Sequence, residues 1–118
     1  MKKFLAIYIG TEDALKRSQW NELSEDKRKA LEGSGINAWV EWGMTNAAAI
    51  VDQGGPLGKT KQVSPDGLAD IQNLMTGYVI VQAESHEAAA KLFENHPHFA
   101  IFPGDSVEIM ECLPLPGQ

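Results

Sequence analysis

The sequence predicts an α+β domain of ferredoxin-like β-α-β-β-α-β order, and three observations carry that prediction. Phe4 to Ile9 is an apolar run in which both alternating sets are apolar, Phe4, Ala6 and Tyr8 against Leu5, Ile7 and Ile9. Such a run reads as a strand buried on both faces. Ser24, followed by Glu25 and Asp26, opens a long stretch of helical composition. Tyr78 to Ala83 reads as a strand and is followed at once by a Ser85 cap and the apolar positions Ala88, Ala89, Leu92 and Phe93. The order of these elements is that of two helices on one face of a four-stranded antiparallel sheet.

Each element has its own grounds. Strand one spans residues 2–10. Residues 11–23 are a lead-in segment, with a short helix as one option. The main helix covers 24–46, with Leu31, Gly35, Ala38, Trp42 and Thr45 on one stripe. Gly33 and Gly35 weaken it by roughly 1 kcal/mol each against Ala, and we expect it to run through them. Strand two is Ala48 to Gln53, closed by a Gly54-Gly55-Pro56 turn. Residues 57–76 form a long connection in which Lys59 to Val63 reads as an arm of a small hairpin. Strand three is Tyr78 to Ala83. The second helix starts after Ser85 and is ended by Pro97. Strand four is Ser106 to Cys112, and Leu113-Pro114-Leu115-Pro116 forms an extended tail. Two helices cover one face only, so the alternation leaves Phe4, Tyr8, Tyr78, Ile80 and Met110 on the uncovered face. An apolar face of that size normally finds a partner or a ligand. The expectation is a homodimer packed sheet to sheet.

Composition excludes several classes. The 118 residues suit one domain, 1–118. Ten Lys plus Arg against sixteen Asp plus Glu give a net charge of -6, which speaks against a nucleic-acid partner. Cys112 is the single cysteine, so an internal disulfide and a multi-cysteine zinc site are excluded. The N-terminal apolar run is too short for a secretory signal, and no stretch approaches the ~20 apolar residues of a membrane span. The expectation is a cytoplasmic chain with no membrane partner and no cofactor.

Ile50-Val51-Asp52-Gln53-Gly54-Gly55-Pro56-Leu57, Thr76-Gly77-Tyr78-Val79-Ile80-Val81-Gln82-Ala83, Ser85-His86-Glu87-Ala88-Ala89 and Gly104-Asp105-Ser106-Val107-Glu108-Ile109-Met110 follow one another in the chain. In their order and spacing they resemble the YCII-related family, also called the DGPF-domain family. The likeness covers about the last 70 residues and, loosely, the first strand. It implies a dimeric α+β barrel with a cleft between helix and sheet or between protomers. It also implies a small-molecule ligand, since some members resemble small-molecule enzymes, among them a dehydrochlorinase of chlorinated-aromatic breakdown. The family's proposed His–Asp pair has its histidine in the region after the first strand. Residues 11–47 here hold no histidine, so that pair has no counterpart.

Among the residues themselves, His96-Pro97-His98 is the most chemically suggestive cluster. At i and i+2 of an extended chain both imidazoles face one way, and they suit proton transfer near neutral pH. After a helix C-terminus the dipole would favour the protonated ring. Two histidines do not complete a zinc site, and His86 precedes His96 by about 15 Å if the segment is helical. The competing reading is a helix cap in a surface turn. Asp52, at a strand end, is either a carboxylate at a pocket mouth or the starter of an Asx turn. His96, His98 and Asp52 are thus the catalytic candidates.

Trp39, Trp42 and Tyr78 are candidate pocket walls for a flat ligand, weighed against core packing. Lys59, near Lys61, either attracts an acidic ligand or is a solvated edge. Gly54-Gly55-Pro56-Leu57-Gly58-Lys59-Thr60 falls one residue short of a phosphate-binding loop and lacks the following helix. Cys112 has no base beside it in the sequence and reads as structural. Two functions remain open: a small-molecule-binding protein or enzyme with no assigned reaction, and a non-catalytic dimerisation or accessory module.

Overall fold

The structure is a computed structural model and describes residues 1–117. Strand β1 (Lys2–Ile9) leads into helix α1 (Glu12–Ser18), a 3-10 turn at Trp20–Glu22 and the long helix α2 (Glu25–Thr45). A second 3-10 turn, Ala47–Ala49, precedes β2 (Ile50–Pro56), β3 (Thr60–Ser64), β4 (Gly67–Ile71) and β5 (Met75–Ala83). Helices α3 (His86–Lys91) and α4 (Pro97–Ala100) and strand β6 (Ser106–Glu111) complete the chain. The main sheet has the order β2-β5-β1-β6 with every pairing antiparallel. That is the ferredoxin-like order, with β3 and β4 added as a separate two-stranded hairpin.

Local chemistry explains most boundaries. The Thr11 hydroxyl accepts from the Ala14 N–H at the start of α1, and the Ser24 hydroxyl accepts from the Lys27 N–H at the start of α2. Helix α2 runs unbroken through both glycines. At Gly35 an added Cβ would collide with the Phe102 ring, whereas at Gly33 it would meet open space. Gly35 is therefore a close-approach position and Gly33 is not. Gly35, Ala38 and Trp42 lie on the inward side of α2 as the stripe predicts, but Leu31 and Thr45 are exposed. Trp39 takes a place on the inward face instead.

Three sequence expectations change. The second helix does not continue to Pro97. It ends after α3, Asn95 adopts a left-handed φ of 56°, and Pro97 opens α4, where its missing N–H costs nothing. Gly54-Gly55-Pro56 is not a turn but the bulged end of β2. Gly54 has φ 59°, and a Cβ there would strike the Tyr78 carbonyl, so only glycine lets β2 stay against β5. The strand faces are also reassigned. Phe4 pairs with Val81 and Leu5 with Ile80. Phe4, Ala6 and Tyr8 turn towards the helices and form the core with Val79, Val81, Ala83, Ala89 and Phe93.

The outer face carries Leu5 and Ile7 beside Tyr78, Ile80 and Met110. Period-two alternation alone does not choose between two apolar sets. The choice is made by the rings above: Phe4 stacks on His86 at 5.3 Å, and Tyr8 packs on Trp39 at 4.9 Å.

Candidate functional site

Helix α2 crosses the β2 end of the sheet and leaves a cavity of about 490 Å³ beneath it, open on one side. Trp39, Val40, Trp42, Gly43 and Met44 of α2 form one wall. Ile50 and the Gln53–Pro56 bulge form the second, and Tyr8, Thr76, Gly77, Tyr78 and Val79 form the floor and rim. None of the described residues lining it carries a charged side chain. Gly54 and Gly77 keep this corner shallow: a Cβ on Gly77 would press on the Tyr8 ring and the Gly55 carbonyl.

Behind the floor lies a packed ring cluster. His96 is fully buried. Its ring centroid is 5.1 Å from Tyr8, 4.5 Å from Trp39, 4.7 Å from Trp42 and 5.8 Å from Phe93. Trp42 is held by its indole N–H, which donates to the Leu92 carbonyl at 2.8 Å. The His98 backbone N–H donates to His96 Nδ1 at 3.0 Å, which makes His96 the N-cap of α4. His96 Nε2 lies 3.3 Å from the Tyr8 hydroxyl oxygen. His98 Nε2 donates to the Ile9 carbonyl at 2.7 Å. The loop closes over it because Gly104 has no side chain, since a Cβ there would collide with the His98 ring.

The two histidines are not the cationic pair expected after a helix C-terminus. His96 stands at the start of α4, and both rings are buried. Burial, reinforced by the neighbouring His98, lowers the His96 pKa to about 4. Burial also lowers that of His98, against the opposing pull of the Ile9 and Ser106 backbone and the Asp105 carboxylate. Burial pushes the Tyr8 hydroxyl above the ordinary tyrosine range. At neutral pH all three groups are uncharged.

The remaining candidates fall apart in space. Trp39, Trp42 and Tyr78 line the cavity. In register Tyr78 stands beside Ile7 on the outer face, and it meets the cavity along the β2 edge, against Gly54. Asp52 is exposed, and its carboxylate accepts from the Gly54 N–H at 2.8 Å, an Asx turn that shapes the bulge. Lys59 borders a separate shallow groove at the root of the hairpin, with Lys61, Asp70 and Asn73. Cys112 is exposed. Among the described residues no three His, Cys, Asp or Glu side chains gather closely enough to hold a metal ion. No helix among the described residues is long and apolar enough to cross a membrane.

Sequence reasoning placed Tyr8 on the wrong face and so missed it. The signal was present in a phenol set within a buried strand, because a buried Tyr hydroxyl needs a partner.

This arrangement of strands and helices is shared with a solved enzyme. It is the 5-chloro-2-hydroxyhydroquinone dehydrochlorinase TftG from Burkholderia phenoliruptrix AC1100, in complex with 2,5-dihydroxybenzoquinone. The match has a TM-score of 0.52 and 17% sequence identity, and it covers 91% of this chain and 89% of that one. At this identity the likeness is one of fold. No family model matches the sequence, and no curated protein is significantly similar to it.

Proposed function

We propose that the chain binds a small organic molecule in the cavity between α2 and the sheet, as a binding protein or as an enzyme whose reaction is unassigned. One observation carries this reading: an open cavity of about 490 Å³ with aromatic and apolar walls and no charged side chain among its described lining residues. That volume lies within the usual range of ligand sites. The lining favours a flat, uncharged, ring-bearing molecule, because an unpaired charge placed against it would lose its hydration without compensation.

The solved dehydrochlorinase of the same fold, held in complex with a small ring compound, supports the reading, as does the resemblance to the YCII-related family. Trp39, Trp42 and Tyr78 would contact the ligand. His96 and His98 would act from behind Tyr8 rather than by direct contact. Asp52 is committed to its turn, and Lys59 lies in another groove.

A thermal-shift screen against a metabolite collection tests the reading, since a ligand of the folded state raises stability by mass action. Gly43→Phe then tests the place. A side chain at Gly43 starts in open space, so it can fill the cavity without a clash. A hit should lose its shift in this variant. A shift that survives puts the site elsewhere, and a chain that no compound stabilises argues against a ligand site.

A second reading, a dimerisation or accessory module, is favoured by the outer sheet face. Leu5, Ile80 and Met110 lie side by side in register, with Met110 43% exposed. A homodimer formed through this face would remove that surface from water, and a stable one would bury more than roughly 1,200 Å².

A further inference from the structure

Resting on the cavity reading above, we infer that the buried Tyr8 hydroxyl donates a hydrogen bond to the ligand, and that the ligand presents a carbonyl oxygen on an uncharged, conjugated ring compound. The direction of each hydrogen bond behind the cavity follows from one fixed donor. The His98 backbone N–H can only donate, and it lies 3.0 Å from His96 Nδ1. Nδ1 is therefore the bare nitrogen, and the neutral ring carries its proton on Nε2. Nε2–H then donates to the Tyr8 oxygen 3.3 Å away.

A phenol has one proton, and here it is turned away from His96. Among the described residues the Tyr8 hydroxyl has no other hydrogen-bond partner. The Tyr8 side chain is nonetheless only 4% exposed, and it lines the cavity. A buried O–H left unmet is costly, and Tyr8 is a lining residue of the cavity, so an acceptor bound there would relieve it.

The class of acceptor follows from the walls. A carboxylate or phosphate would sit among Trp39, Val40, Trp42 and Met44 with no cation among the described lining residues. A carbonyl is a neutral acceptor, and one conjugated to a ring comes with an aromatic face that can pack on the lining Trp39, Trp42 or Tyr78. Burial keeps the Tyr8 hydroxyl protonated, so it is a donor and not a base. His96 is then a positioning residue. Its N–H, donated to the Tyr8 oxygen, polarises the O–H and strengthens the bond passed on to the ligand.

Acetophenone and α-methylstyrene test the inference, because they differ only in C=O against C=CH2. Binding is read from the indole N–H resonances of Trp39 and Trp42. The parent protein should prefer acetophenone by roughly two- to tenfold, the worth of one neutral hydrogen bond. The carbonyl carbon of labelled acetophenone should move downfield on binding. Tyr8→Phe should abolish both the preference and the downfield shift while α-methylstyrene binding is kept.

Equal affinity of the parent for the two compounds overturns the inference and leaves the cavity reading standing. If neither compound perturbs the two indoles, both readings fall. The nitrogen chemical shifts of His96 in the parent protein need no variant. They should report the Nε2–H tautomer, and an Nδ1–H tautomer overturns the inference directly.

Discussion

Acid should destabilise this protein through His96, and the amount follows from its burial. The ring is fully enclosed, and its pKa falls from 6.5 to about 4, first through burial and then through the charge of neighbouring His98. The unfolded chain takes up this proton near 6.5, while the folded chain resists it until about 4. Between these values the unfolded state holds more protons, so stability rises with pH. The contribution is fully present above 6.5 and is lost as pH falls through about 4.

A shift of this size corresponds to about 3 kcal/mol, a sizeable share of a small domain's stability. The chain also carries sixteen Asp and Glu side chains, so one acid curve does not isolate the histidine. His96→Asn removes the titration and keeps an acceptor at the α4 N-cap. Urea unfolding of both proteins at neutral pH and near pH 4.5 gives the contrast. The parent should lose roughly 2–3 kcal/mol more than the variant between the two conditions. His98 titrates in both proteins, and because its charge bears on His96 the contrast reports the coupled pair. Parallel losses would refute the buried, neutral His96 on which the site rests.

Four further outcomes are expected. Gly33→Ala should raise stability by about 1 kcal/mol, because its Cβ meets open space in a helix. Gly35→Val should lower it by about 1–3 kcal/mol, because its Cβ meets the Phe102 ring; calorimetry that ranks the two alike contradicts the close approach of α2. Trp42→Phe should cost about 1–3 kcal/mol, since the half-buried Leu92 carbonyl loses its indole donor; an unchanged melting temperature would show that this bond is idle. Ile80→Lys on the outer face should convert a dimer to a monomer in light scattering, and a parent protein that is already monomeric at micromolar concentration removes the sheet-to-sheet dimer.

Most of the fold is legible in local chemistry. Ser24 and Ser85 cap the helices they were expected to cap, and the stripe through Gly35, Ala38 and Trp42 points inward. The split of the second helix was not legible as such. Pro97 can equally end one helix or begin the next, and the left-handed Asn95 that decides between them leaves no periodic trace. The candidate site was half legible. Trp39, Trp42 and Tyr78 reach one cavity, whereas the cationic character expected of His96 and His98 vanished once four aromatic rings surrounded His96.

By itself the sequence determined the main strands and helices, their order and the two serine caps, because capping and periodicity act within a few residues. Tertiary structure alone decided which apolar set of β1 faced the helices, and with it where Tyr8 stands. It also decided the charge state of His96, since Tyr8, Trp39, Trp42, Phe93 and His96 come from β1, α2 and the segment after α3. A pKa set by desolvation depends on what surrounds the ring in space. The residues that enclose His96 lie up to 88 positions away in the chain, beyond the reach of any local pattern.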